Sequence, residues 1–161
     1  MPHFAEVTHR EWIAAAPQVV RAQFGDLEHH IRRRVHPGLR LEVLARGPRG
    51  VRFLQEVRLL GIRQRDVFER RIAADGSIED RSVEGFNRGG SLLFRFTPGT
   101  GERAGSTEVE IVVRLPLPPL LGPLVRPLLQ AQIRREVRAA ARQDKHDIEV
   151  LGYPAPAPAA R

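Results

Sequence analysis

The sequence predicts an α+β fold in which a curved antiparallel sheet wraps around one long C-terminal helix. Three observations carry this reading. A helical signal runs without a break from Pro119 to Glu149. An alternating strand, Thr107 to Leu115, lies directly ahead of it. From Leu39 onward, after an early pair of short helices, the apolar period is two, as a half-buried strand requires. The element order is β-α-α-β6-α. A meander of that length must curl or be covered, and the last helix is the available cover.

Phe4 to Ile13 alternates and forms the first strand. Ala14-Ala15-Ala16-Pro17 breaks it, and Pro17 suits the first turn of a helix, where its missing N–H costs little. That helix carries Val19, Val20, Ala22, Gln23 and Phe24 and stops at Gly25. Asp26 caps a second short helix, Leu27 to Val35, by accepting from its free N–H groups. His36-Pro37-Gly38 ends it, because Pro37 disfavours helical geometry at His36.

Leu39, Leu41 and Val43 then share one strand face, and Gly47-Pro48-Arg49-Gly50 turns the chain. Val51 to Leu59 alternates apolar and charged positions, and Gly61 marks a turn or bulge before Ile62 to Ile72. Asp75-Gly76 is a hairpin signal leading into Ser77 to Glu84. Asn87-Arg88-Gly89-Gly90 makes another turn, and Ser91 to Thr97 pairs with Thr107 to Leu115 as the last hairpin. On the final helix Leu121, Val125, Leu128, Leu129, Ile133, Val137 and Ala140 form an apolar stripe. Residues 1–150 make one domain, and 151–161, rich in proline and alanine, form a flexible tail that cannot build a core.

With 161 residues, a single domain buries roughly 70% of its unfolded surface. The absence of cysteine removes disulfide, thiol and thiolate-metal chemistry. The N-terminal MPHFAEVTHREW has no charged segment followed by an apolar run, and no stretch approaches the ~18 apolar residues of a membrane span. A cytoplasmic protein is the expectation. The net charge of +7 is almost all arginine, with Lys145 the one lysine, and the densest run is Arg32 to Arg34. No helix-turn-helix, zinc-finger or aromatic stacking pattern accompanies it, so a solvated basic face, and no nucleic acid, is the reading. There is no Gly-x-Gly-x-x-Gly after a strand, no phosphate loop and no Gly-x-Ser-x-Gly elbow. Asp80 and Glu84 share a strand face and are expected to face water.

The chain resembles the START-like superfamily, also called the polyketide cyclase/dehydrase or SRPBCC group, over roughly residues 3 to 149. The likeness rests on the paired helices after the first strand, on Val83-Glu84-Gly85-Phe86 through Leu92-Leu93-Phe94-Arg95-Phe96-Thr97-Pro98, and on Pro116-Leu117-Pro118-Pro119-Leu120-Leu121-Gly122-Pro123-Leu124. It implies a START-like helix-grip fold with a cavity between the concave sheet face and the last helix. It also implies a hydrophobic or aromatic small molecule or a lipid as partner, bound by a carrier or by a cyclase-type protein. The fold itself hosts many chemistries and does not choose among them.

Strand alternation nominates the lining of that cavity. Phe53, Gln55 and Val57 face one way on their strand, and Gln64, Asp66, Phe68 and Arg70 form the less charged face of the next. Phe94 and Val113 come from the last hairpin, and Leu128 and Gln132 from the final helix. A mostly apolar lining with a few polar groups suits an amphipathic ligand, because unpaired polar groups in a dry cavity are costly. The competing reading is that Asp66 and Arg70 sit near strand ends or pair with each other. The Pro-rich segment also has two readings. Its leucines bury the helix N-terminus, the favoured one, or they form an apolar lip in transient contact with a membrane surface, near Arg114 and Arg126.

His29, His30 and His36 cluster in Asp26-Leu-Glu-His-His-Ile-Arg-Arg-Arg-Val-His36. Imidazole is the commonest metal ligand, and two histidines with one carboxylate hold iron(II) while leaving positions open. The segment is similar to the iron-binding stretch of Rieske oxygenase catalytic domains, which belong to the same superfamily. There an aspartate is followed after two residues by a histidine, and after four more by another. Asp26 and His29 match, but position 34 is arginine. The resemblance implies Fe(II) or another divalent metal, with a third ligand from an acid on the last helix: Glu136, or further along Asp144 or Asp147. No Rieske-type cysteine–histidine motif is present. The alternatives are capping or surface roles for His29 and His30, or acid–base roles in the pocket.

Overall fold

The computed structural model describes residues 3–154. Its elements are β1 (Phe4–Ile13), α1 (Pro17–Gly25), α2 (Leu27–Arg33), β2 (Arg40–Gly47), β3 (Gly50–Leu59), β4 (Ile62–Ile72), β5 (Ile78–Gly85), β6 (Ser91–Pro98), β7 (Thr107–Pro116) and α3 (Gly122–Glu149). A 3-10 turn, Gly101–Arg103, interrupts the β6–β7 loop. The seven strands form one antiparallel sheet in the order β1-β7-β6-β5-β4-β3-β2. The first strand therefore closes against the last, in unbroken register from Phe4 opposite Pro116 to Ile13 opposite Thr107.

The local signals explain the boundaries. Pro17 opens α1, and the Asp26 carboxylate accepts from the His29 backbone N–H at 2.9 Å to cap α2. α2 ends two residues short of the expected Val35, because Arg34 takes a left-handed conformation with φ of 50°. α3 begins at Gly122 rather than Pro119; a turn closes first, with the Gly122 N–H donating to the Pro118 carbonyl at 2.8 Å. Register shifts at Val43/Ala45 and at Val67/Phe68 bend the sheet. Gly85 ends β5 with φ of 115°, and a Cβ there would collide with the backbone of Arg65 and Asp66. That close approach carries the following loop, and Asn87 with it, over β4.

Core side chains come from the concave face and from the elements laid on it. Val7 and Ile13 of β1, Val109, Ile111 and Val113 of β7, Val20 and Phe24 of α1, and Leu129, Ile133, Ala141 and Ile148 of α3 are all buried. Phe24 meets Phe94 and Phe96 edge-on, with ring centroids 5.7 and 5.5 Å apart, which ties α1 to β6.

The α3 stripe is narrower than expected and rotated. Val125, Leu129, Ile133 and Val137 pack inward, but Leu128 is 62% exposed. One residue is about 100° of helix rotation, so a stripe centred on Leu129 turns Leu128 away. Leu120, Leu121 and Leu124 are also exposed and Leu117 is buried, so most of the Pro-rich segment's leucines do not bury the helix start. Tyr153, assigned to the tail, folds back instead: its hydroxyl donates to Asp26 Oδ2 at 3.1 Å and its ring lies 4.7 Å from that of His29. The rest of the Pro/Ala tail, 155–161, lies outside the described residues. No helix among the described residues is long and apolar enough to cross a membrane.

Candidate functional site

Between the sheet and α3 lies a cavity of 150 Å³ walled by Leu39, Gln55, Val57, Leu59, Phe68, Leu92, Val113, Ile133, Val137 and Ala140. A second space of 100 Å³ shares Leu39, Gln55, Leu92, Val137, Ala140 and His36 with it and reaches Phe24, Phe53, Arg70 and Phe94. The shared walls make them adjoining chambers of one interior. An open groove of 720 Å³ runs outside past Arg34, Arg40, Arg58 and Arg63. All four of those arginines are exposed, so the groove offers no dry apolar enclosure.

The residues nominated by strand alternation fall in several places. Gln55, Val57, Asp66, Phe68 and Val113 border the larger chamber, and Phe53, Gln55, Arg70 and Phe94 border the smaller. Three candidates lie elsewhere. Leu128 faces out; Gln64 is buried against Asn87, whose Nδ2 donates to its Oε1 at 2.8 Å; and Gln132 donates to Glu136 at 2.9 Å.

Two polar centres support the sheet side. Asp66 and Arg70 do not pair with each other. Asp66 Oδ1 accepts from the Asn87 backbone N–H at 2.6 Å and from Ser82 Oγ at 3.2 Å, while Oδ2 accepts from Asn87 Nδ2 at 2.8 Å. Arg70 pairs instead with Asp80, which is buried on the inner face rather than facing water as expected. Buried carboxylates persist only with such partners.

The third centre joins α1, α2 and α3. His30 Nδ1 lies 2.7 Å from the Asp26 carbonyl and its Nε2 3.0 Å from Asp144 Oδ1. His36 Nδ1 lies 2.9 Å from Gln143 Oε1 and its Nε2 3.4 Å from the same Asp144 oxygen. His29 turns the other way, its Nε2 2.7 Å from Asp147 Oδ2. Gln23 Nε2 donates to both carboxylates at 3.0 Å. Burial alone would lower the His36 pKa, but the Asp144 charge and the hydrogen bonds its ring donates to Asp144 and Gln143 raise it above the ordinary histidine value. Burial likewise pushes Asp144 up, yet His36 and His30 outweigh it and hold the carboxyl well below the usual carboxylate range.

Glu136, the first choice as third ligand, borders the larger chamber and hydrogen-bonds Gln132. The carboxylate that meets His30 and His36 is Asp144; their ligand atoms all lie within 4.8 Å of one another. Sequence reasoning ranked Asp144 and Asp147 behind Glu136 and missed Gln23, Asn87, Gln143 and Asp80. A signal for Asp144 existed. Continuing the stripe from Ile133, Val137 and Ala141 at helical spacing lands on Asp144 and Ile148, one turn apart on the buried face.

No family model matches the sequence, and no curated protein does. Solved structures do match. A protein from Thermus thermophilus superposes with a TM-score of 0.77 at 22% identity, covering 89% of this chain and 96% of its own. A START superfamily protein from Mycobacterium smegmatis gives 0.73 at 17% identity, over 91% of this chain and 98% of that one. The fold is START-like. The Zhui aromatase/cyclase from Streptomyces sp. R1128 shares this START-like fold at a TM-score of 0.73 and 18% identity, over 93% and 99% of the two chains.

Proposed function

We propose that the protein binds a hydrophobic or aromatic small molecule between the sheet and α3, as a carrier or a cyclase-type protein. The observation that carries this reading is the mainly apolar space of 150 and 100 Å³ between the sheet and α3. An apolar cavity of about 150 Å³ accommodates one benzene-sized ring, so the two chambers together suit a ligand of one or two rings. Gln55, Asn87, Glu136, Gln143 and His36 border the larger chamber and can orient a hydroxyl or carbonyl on such a ring. His36 is the wall group able to exchange a proton near neutral pH, which a cyclase-type reaction would use. The structural likeness to an aromatase/cyclase supports the ligand class and does not select between carriage and catalysis.

Native mass spectrometry of the purified protein, followed by calorimetric titration with hydroxylated one- and two-ring aromatics, tests the reading. A co-purifying organic molecule or saturable one-to-one binding is expected. An interior that takes up none of these compounds removes the proposal.

A further inference from the structure

We propose that His30, His36 and Asp144 form a binding site for a divalent first-row transition metal where the two chambers meet the helices. The site goes beyond the small-molecule reading and can fail without it.

A backbone carbonyl only accepts, so His30 Nδ1, 2.7 Å from the Asp26 carbonyl, carries the N–H there. Gln143 Oε1 fixes the proton of His36 on Nδ1 in the same way, at 2.9 Å. When neutral, each imidazole presents a lone pair at Nε2; when protonated, its Nε2–H donates to Asp144 Oδ1, which both Nε2 atoms face. Three potential ligand atoms, two ring nitrogens and one carboxylate oxygen, thus lie within 4.8 Å of one another. Gln23 holds the carboxylate as an acceptor: its amide nitrogen donates to Asp144 and Asp147, an orientation kept although its Oε1 is buried without a partner among the described residues.

A divalent cation can take the place of the protons shared between the imidazoles and the carboxylate. Nitrogen and oxygen ligands sit ~2.1 Å from such a metal, so neighbouring ligand atoms fall roughly 3.0 to 3.4 Å apart. The two Nε2 atoms lie 3.0 and 3.4 Å from Asp144 Oδ1, spacings that such a metal and a shared proton both allow. Anchoring of Nδ1–H by a carbonyl is also how metal-binding histidines are oriented. Two imidazoles and one carboxylate favour zinc or iron(II) over calcium or magnesium, and three protein ligands leave positions open. His30, His36 and Asp144 all border the smaller chamber, so the open positions face the proposed ligand space. Glu136 and the His29–Asp147 pair stand outside the set.

The test uses untagged full-length protein, stripped with chelator and titrated with cobalt(II). One equivalent per chain with visible ligand-field absorption is expected, displaced by zinc and accompanied by a rise in Tm. His36→Gln and Asp144→Asn should each weaken cobalt binding by at least ~10-fold. Circular dichroism verifies that the variants fold. His36, at the cavity wall, is the substitution expected to leave the fold intact. Substoichiometric cobalt in the wild type, or binding undiminished in folded His36→Gln, overturns the site. So does a proton found on His36 Nε2 by nitrogen-15 NMR in metal-supplied protein, since the centre would then be an imidazolium–carboxylate cluster.

Discussion

Arg70 and Asp80 stand opposite each other across the β4–β5 ladder and close a two-pronged ion pair inside the protein, Nε to Oδ1 and Nη2 to Oδ2 both at 2.7 Å. The remaining nitrogen, Nη1, donates to the Phe24 carbonyl at 2.8 Å, so the pair also holds the end of α1. The guanidinium carbon lies 5.3 Å from the centroid of the Phe53 ring. Removing one partner leaves the other charge buried and alone. Asp80→Ala is expected to cost about 3–5 kcal/mol, whereas Arg70→Met with Asp80→Leu should recover most of that loss. Urea unfolding measures both. A cost for Asp80→Ala below about 1 kcal/mol, the range of a solvent-exposed pair, would show that the pair is hydrated.

The same pair shows what the sequence could and could not disclose. Alternation placed Arg70 on the inner face with Asp66 and Phe68, as observed. It could not place Asp80, because the side a strand presents depends on its register with a neighbour, and β4–β5 carries a shift at Val67/Phe68. The order of elements and the helix-grip outline were legible, since period and turn residues are local properties. The histidine centre was half legible. His30 and His36 are neighbours in sequence, but Asp144 lies 114 residues from His30 and reaches it only through the docking of α3. Tyr153 was illegible for the same reason: its partners, Asp26 and His29, are distant in the chain.

Filling the larger chamber separates binding from folding. Ala140 borders both chambers, and a phenyl ring at that position would occupy the space proposed for ligand. Ala140→Phe should abolish calorimetric binding of the aromatic compounds at a stability cost under ~3 kcal/mol, the usual range for overpacking. Leu128→Phe, on the exposed side of the same helix, should bind as wild type. Equal binding by Ala140→Phe would place the ligand elsewhere.

Tyr153 is the one tyrosine of the chain, so its ionisation can be read directly from tyrosinate absorbance. Burial pushes its pKa up, and the bond to Asp26 and the charges of Asp26 and Asp147 push the same way, to about 12. The folded protein thus holds this proton more tightly than the unfolded chain, whose tyrosine ionises near ~10. The resulting stabilisation is complete below the unfolded value and is lost as pH rises toward 12. Asp26→Asn should lower the midpoint without restoring the free value, because burial is the largest cause. A wild-type midpoint near ~10 would mean that Tyr153 does not dock on α2.

The rotated stripe of α3 makes a paired prediction on adjacent residues. Leu129 is buried at 7% exposure against the sheet, whereas Leu128 and Leu120 are 62% and 93% exposed. Truncating a buried leucine loses its transfer energy and leaves a cavity, so Leu129→Ala should cost about 2–5 kcal/mol. Leu128→Ala and Leu120→Ser remove no packed contact and should stay within ~0.5 kcal/mol of wild type. Urea titrations of the three variants give the comparison. Had the helix followed the stripe expected from sequence, with Leu128 inward, the Leu128 substitution would cost as much as its neighbour. Equal losses at 128 and 129 would therefore contradict the helix rotation on which the chamber geometry depends.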